Sequence, residues 1–305
     1  MKAIVATDRS AEAAGITLID VPEPAPAIND VVVEVHASGF VPAEWEWSST
    51  WVDRSGKARA QPIIGHEFAG VVTALGYGTT GLSVGQRVFG ITDWHRDGTL
   101  AEYAAVESRN LAPLPGDVAF TVGAGLPISG LTAWQGLFPH GRLQPGQTIL
   151  AHGAAGAVGA FVTQLAREFG AYVIGTGRGK DRQSALDLGA HEFLDLDTED
   201  LADVGGVDVV FDVIGGEVQE KSARLIRPGG TLVSVVGPVE ARPVDGRAID
   251  FVVESIPEQL TQIARRVRDG RLRPHIGTIA SLDDAVTALH PATRRHGKTV
   301  IRLRA

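Results

Sequence analysis

The stretch with the most chemistry in it is Thr148-Ile149-Leu150-Ala151-His152-Gly153-Ala154-Ala155-Gly156-Ala157-Val158-Gly159. An apolar run enters a loop of residues with little or no side chain. Val158, Phe161, Val162, Leu165 and Phe169 then follow at the 3.6-residue period of an amphipathic helix. Tiny residues let the backbone approach a pyrophosphate, and free N–H groups at the helix start meet its charge. Gly159 permits the helix to pack close to the sheet. The loop departs from G-x-G-x-x-G, because Ala154 stands where the first glycine would be and Gly153 precedes it. A lone glycine motif is weak, but here the strand before it, the helix after it and a second apolar run ending at Gly175 are all in place. Gly153 to Gly159 therefore read as a dinucleotide cradle. The competing reading is a tight strand–helix turn with no ligand.

The second apolar run ends Val173-Ile174-Gly175-Thr176-Gly177-Arg178-Gly179-Lys180. Binders of NAD place a carboxylate at such a tip, about 20 residues past the glycines, to accept the ribose 2′-hydroxyl. This tip has none, and the first candidate, Asp181, follows two basic residues. A 2′-phosphate would meet Arg178, Lys180 and the Thr176 hydroxyl, with Gly177 between them. Charge-assisted bonds of that kind contribute roughly 1.5–3 kcal/mol each. The expected cofactor is NADPH; the bland alternative is a pair of solvated loop cations.

These groups need elements to hold them. Lys2 to Ala6, Val31 to Ala37, Phe68 to Ala74 and Arg87 to Ile91 are short β-branched runs separated by Pro- and Gly-rich turns, a pattern that predicts a barrel-like β domain. From Gln147 to about Val253 the chain alternates apolar runs with helical periods. Thr148 to Ala151, Tyr172 to Gly175, Val207 to Asp212 and Thr231 to Val235 are apolar throughout, as a doubly wound parallel sheet buried on both faces requires. Pro257 to Arg268 predicts a helix and Thr299 to Leu303 a last strand. The fold class is α/β with two domains.

Composition narrows the function. A formal charge of −8 argues against bulk electrostatic attachment to nucleic acid or anionic lipid, while leaving a small-anion site open. With no cysteine, neither a disulfide scaffold nor a thiolate-held metal is possible. Absence of cysteine fits a reducing cytosol, the N-terminus reaches charge too early for a secretory leader, and no stretch approaches the roughly 20 apolar residues of a membrane span. A soluble, cytoplasmic protein is expected.

Several ordered motifs together resemble the medium-chain dehydrogenase/reductase superfamily, in its zinc-independent quinone oxidoreductase branch. They are Gly65-His66-Glu67-Phe68-Ala69-Gly70-Val71-Val72, Gly98-Thr99-Leu100-Ala101-Glu102-Tyr103, Gly130-Leu131-Thr132-Ala133-Trp134, the glycine loop, Asp212-Val213-Ile214-Gly215-Gly216 and Gly297-Lys298-Thr299-Val300. The resemblance implies a GroES-like β-barrel catalytic domain over 1–115 and 269–305, and an NADP-binding Rossmann domain over 116–268, with the active site in a cleft between them. It implies further cofactor contacts at Ile214 and Gly215, Val236 and Gly237, and Phe251, Val252 and Val253. A homodimer formed by pairing the last Rossmann strand is also implied.

Metal-dependent relatives hold zinc with Cys, His and a further ligand. Here the first ligand position falls on Val41, and one Gly-His-Glu supplies too few ligands. No metal is expected, and His66 reads as a hydrogen-bonded residue of the substrate site. The zinc-free branch usually carries Asn at the position of Val41, and Tyr or Lys at that of Glu46, so the usual substrate is put in question. By family position Thr132 touches the nicotinamide or the substrate; a helix N-terminal hydroxyl is the alternative. Of Trp45, Trp47, Trp51 and Trp94, the sequence favours Trp45 and Trp94 as a flat apolar wall for a conjugated substrate.

The chemistry implied is hydride transfer, without metal, to a quinone or to the activated C=C bond of an enone. The developing oxyanion would need preorganised donors. Two alternatives stay open: reduction of another carbonyl metabolite, and an NADPH-binding protein with little turnover.

Overall fold

A computed structural model describes residues 1–10, 15–42, 44–293 and 295–304. In chain order it begins with β1 (Lys2–Ala6), β2 (Ile16–Asp20), β3 (Asp30–Phe40), a short α1 (Ser48–Trp51), β4 (Glu67–Leu75), β5 (Arg87–Ile91), β6 (Tyr103–Glu107) and β7 (Leu111–Pro113). Next come α2 (Phe120–Gly123), α3 (Pro127–Gln135), β8 (Thr148–Ala151), α4 (Gly159–Glu168), β9 (Tyr172–Gly177), α5 (Arg182–Asp187) and β10 (Glu192–Asp195). The remainder is β11 (Val207–Asp212), α6 (Gly216–Ala223), β12 (Ile226–Ser234), β13 (Gly246–Asp250), α7 (Pro257–Arg268), β14 (Ile276–Ser281), α8 (Ala285–Leu289) and β15 (Lys298–Arg302). The chain divides into two units: Met1–Ile128 with Ser255–Arg271 and Ile276–Ala305, and Ser129–Glu254 with Leu272–His275.

The first unit is built around β3. Its register shifts at Val32/Val33 and again at Val35/Ala37, and bulges of this kind bend and twist a strand. β3 can therefore pair antiparallel with β4 along most of its length, with β6 over its first half and with β15 over its second. Val31, Val33 and Val35 point into one core with Phe68, Val72, Val88, Ala104, Val106 and Leu111. A second core joins Ile4, Phe40, Trp45, Ile64 and Leu100 to Leu289 and Ile301 from the end of the chain. The returning C-terminus is thus part of this unit's core. This is the GroES-like β architecture.

The second unit is a six-stranded, all-parallel sheet in the order β10-β9-β8-β11-β12-β13. Counted within the unit this is 3-2-1-4-5-6, the doubly wound Rossmann order. The central strands are buried because every parallel crossover lays chain over a face. Two strands were not read from the sequence. β10 holds only two buried residues, Phe193 and Leu194, and β13 is an edge strand with no buried residue; edge strands carry polar side chains on the open side. β12 also begins earlier than Thr231, at Ile226, and runs through Pro228-Gly229-Gly230. Phe169 lies beyond α4 and is 40% exposed, its ring against Phe138 instead of the core.

Candidate functional site

In a doubly wound sheet, ligands bind outside the carboxyl ends of the strands, where the strand order reverses. Here that point lies between β8 and β11, and the glycine loop leaves β8 there. The loop is pinned from below. The Ala154 N–H donates to Thr176 O at 3.0 Å, Gly156 N–H to Gly153 O at 2.7 Å, and Thr163 Oγ1 to Ala154 O at 3.1 Å. A Cβ at Gly159 would strike the Gly153 carbonyl, so only glycine lets α4 start so close to the strand end. The N–H groups of Ala157 and Val158 have no partner among the described residues, and both residues are half-exposed. They are donors at the positive end of a ten-residue helix. The geometry fits the phosphates of a dinucleotide.

Beneath the loop lies a closed polar network. His152 is buried, with Nδ1 2.7 Å from Thr176 Oγ1 and Nε2 2.7 Å from Ser222 Oγ. Ser222 Oγ donates to Val218 O at 2.7 Å, so it accepts from His152 Nε2–H, and Nδ1 accepts from Thr176. Burial pushes the imidazole down to about 4, against the pull of Asp212. Asp212 itself is buried, and burial alone would raise its carboxyl. The Gly215 N–H, the Gln219 side-chain amide and the Ile214 N–H nevertheless hold it below the usual carboxylate range, helped by His152. The two backbone bonds to Asp212 Oδ1 are 2.9 Å each, and Ser234 Oγ donates to Oδ2 at 2.9 Å.

That grip shapes the next cofactor candidates. Gly215 (φ +79°) opens α6 in a conformation that favours glycine, and Ile214 beside it is 41% exposed. Val236 is half-exposed, and a Cβ on Gly237 (φ +131°) would meet open space. Gly153, Gly215 and Gly237, from the ends of β8, β11 and β12, thus offer bare backbone along one edge of the sheet. Past β13, Phe251 stacks on His140 at 4.4 Å, Val252 is exposed and Val253 is buried.

At the tip of β9 the structure differs from the sequence expectation in two respects. Arg178 and Lys180 are exposed, as a phosphate site needs, and Gly177 is half-buried. Thr176, however, is fully buried, and its hydroxyl is engaged with His152. It braces the loop from inside and does not present its hydroxyl at the tip. The tip is also not free of carboxylates, because β10 pairs alongside and puts Asp195 next to Gly177 in register, with Asp195 Oδ2 2.5 Å from where a Gly179 Cβ would sit.

In the first unit, His66 is 1% exposed at the entry to β4. Its Nδ1 lies 2.8 Å from Oε2 of Glu44, which is also buried. The indoles of Trp47 and Trp94 pack on the His66 ring at 6.0 and 5.2 Å and meet each other edge-on at 5.4 Å. Trp45, favoured from sequence as a wall, is instead a core residue stacked on Phe40 at 5.3 Å. Trp47 takes the place beside Trp94 because the helical turn at Glu44–Glu46 advances about 120° per residue, so side chains two positions apart face different ways. Glu46 is exposed, and its carbonyl accepts from Arg9; Val41 is half-buried. Next to His66, Glu67 is wholly buried and ion-paired with Lys298 from β15, and it accepts the Ile128 N–H at 2.8 Å. Burial drives the Glu67 carboxyl upward against that pairing.

Thr132 is 5% exposed, midway along α3 in the second unit. It is a helix-interior residue and not an N-terminal hydroxyl. The residues sequence reasoning missed are Glu44, Trp47, His152 and Asp195. Only His152 carried a legible signal, as a titratable residue closing an otherwise apolar run.

Two family descriptions match the chain: the alcohol dehydrogenase GroES-like domain over residues 27–116, and a zinc-binding dehydrogenase domain over residues 188–301. Zinc does not fit the donor set, because the chain has no cysteine and no three His, Asp or Glu among the described residues are grouped to hold a metal ion. The chain is 31% identical to the quinone oxidoreductase of Mus musculus, over 92% of its own length and 90% of that protein. The quinone oxidoreductase structure from Coxiella burnetii superimposes with a TM-score of 0.91 at 27% identity, covering 100% of this chain and 99% of that one. An alcohol dehydrogenase superfamily protein from Novosphingobium aromaticivorans gives 0.85 at 28% identity, covering all of both chains. A six-stranded parallel sheet of Rossmann order, a GroES-like β unit and whole-length likeness agree, and the chain belongs to the quinone oxidoreductase family of the medium-chain dehydrogenase/reductase superfamily.

Proposed function

We propose that the protein is an NADPH-dependent reductase that delivers hydride, without metal, to a quinone or to the activated C=C bond of an enone. The observation that carries this reading is the pairing of free Ala157 and Val158 amides at the start of α4 with exposed Arg178 and Lys180 at the tip of β9. Bound there, a reduced nicotinamide dinucleotide supplies the hydride. The chain's part is to grip the diphosphate through backbone N–H groups, to lay the nucleotide along Gly153, Gly215 and Gly237, and to hold donor and acceptor in contact. The nucleotide site belongs to the Rossmann unit. The acceptor site draws on Trp47, Trp94 and His66 of the GroES-like unit. The free edge of β13 supports a homodimer joined by that strand.

Asp195 beside Gly179 favours a second reading, in which the ribose carries a free 2′-hydroxyl and the cofactor is NADH. Specificity constants for NADPH and NADH, measured with a quinone as acceptor in the parent and in Arg178→Ala, separate the two. A preference for NADPH that collapses in the variant supports the first reading; an unchanged ratio overturns it. An acceptor panel of quinones, enals and saturated ketones sets the reaction class, and turnover of saturated ketones alone would move it to carbonyl reduction.

A further inference from the structure

We propose that Glu44 and His66 form a proton-donating dyad in which His66 Nε2 delivers the proton that completes reduction of an enone; this rests on the reductase reading above. Only one nitrogen of His66 is accounted for. Nδ1 meets Glu44 at 2.8 Å, while Nε2 is buried and has no hydrogen-bond partner among the described residues. His152 provides a contrast within the same chain: it is equally buried, and both its nitrogens are bonded at 2.7 Å. A purely structural histidine is satisfied in that way. A buried polar atom left open is costly, and such atoms in native proteins call for a functional account.

His66 Nε2 is not the only open atom in this place. The N–H of Thr92 donates to the His66 carbonyl at 2.8 Å, which continues the antiparallel pairing of Glu67 with Ile91. Directly opposed residues share a face, so the Thr92 side chain lies beside that of His66. Thr92 Oγ1 and Glu44 Oε1 are also buried without partners among the described residues. The Glu44 carboxylate and the His66 imidazole thus meet with unused capacity on both, the imidazole packed against the indoles of Trp47 and Trp94 and the Thr92 hydroxyl on the same face of the strand pair. Both indoles are half-exposed, and one must turn for a substrate oxygen to reach Nε2. A conjugated carbonyl compound fits this chemistry, with a flat body for the indoles and one oxygen for the imidazole.

The balance is simple. A bound reduced nicotinamide would supply the hydride, losing its C–H bond and being left oxidised; the β-carbon would gain that C–H bond and the C=C electron pair would move to the carbonyl, giving an enolate. The N–H bond at His66 Nε2 breaks, its proton passes to the enolate oxygen, and the enol tautomerises in water. Glu44 accepts from Nδ1–H throughout and so orients the ring, the role a carboxylate plays behind a general-acid histidine. The ring is reloaded from solvent. His66 is the catalytic residue here, and Glu44 a positioning residue.

A quinone makes the test specific, because the aromaticity it gains drives hydride uptake with no proton donor at its oxygen, whereas an enal must place the charge on a carbonyl oxygen. In His66→Gln, kcat for an enal should fall about 100-fold or more, the usual span of general-acid catalysis, and at least about tenfold further than kcat for a quinone. Glu44→Gln should lower the enal rate in the same selective way, and Glu44→Asp should restore part of it. In the parent, enal reduction should show a solvent deuterium isotope effect that quinone reduction lacks, a measurement that needs no variant to fold. Equal losses for both acceptors, no loss for the enal, or no isotope difference would overturn the dyad. Parent turnover of quinones alone would also overturn it, while turnover of neither acceptor would overturn the reductase reading itself.

Discussion

Thr176 Oγ1 lies 2.7 Å from His152 Nδ1, so the end of β9 and the first residue of the glycine loop are joined in the interior. The bond needs a neutral imidazole, and burial supplies one by holding His152 at about 4. An unfolded histidine titrates near 6.5. Between those two values the unfolded chain binds more protons than the folded one, so stability falls as pH drops through the window. The contribution is fully present above about 6.5 and lost towards 4. Urea unfolding at pH 7 and pH 5 should differ by about 2 kcal/mol from this group alone. His152→Gln should flatten that part of the pH dependence; a slope unchanged in the variant would assign it elsewhere.

The buried Glu67–Lys298 pair ties β4 to the C-terminal β15. Removing the cation strands a carboxylate in the core. Lys298→Met should cost about 3–5 kcal/mol in urea unfolding. Lys298→Met combined with Glu67→Gln should recover much of that, because no unpaired charge remains. A double variant as weak as the single one would mean the loss comes from packing.

Gly159→Ala should abolish nucleotide binding while leaving the β unit folded. The added Cβ meets the Gly153 carbonyl, so α4 must move away and its free amides leave the loop. Calorimetric titration with NADPH reads the loss directly. An affinity within about threefold of the parent would show that the loop absorbs a methyl group, against the packing expected of a close-packed interior.

Asp195 places a carboxylate beside the basic tip, where it would compete with a 2′-phosphate for Arg178 and Lys180. Asp195→Asn should raise the NADPH-to-NADH ratio of specificity constants by about tenfold, on the scale of one nearby charge. A ratio that falls would place Asp195 among the groups that support NADPH binding.

Much of the Rossmann unit was legible because its signals are local. β8 and β11 were read at their observed bounds, since a strand buried on both faces is apolar without interruption. Small residues after such a strand, followed by a helical period, report the loop whatever lies around it. β10 and β13 escaped notice because strands at the two edges of the sheet need bury little.

The chain's order of amino acids was enough to establish the α/β class, the loop that can receive a diphosphate, and the absence of thiolate ligands. Those features depend on residues within a few positions of one another. The choice among tryptophans, the loss of the Thr176 hydroxyl to His152, the arrival of Asp195 at the basic tip and the bond between Glu44 and His66 were decided only by tertiary structure. Each joins residues 5 to 47 positions apart in the sequence, and no periodicity records which side chain finally faces which.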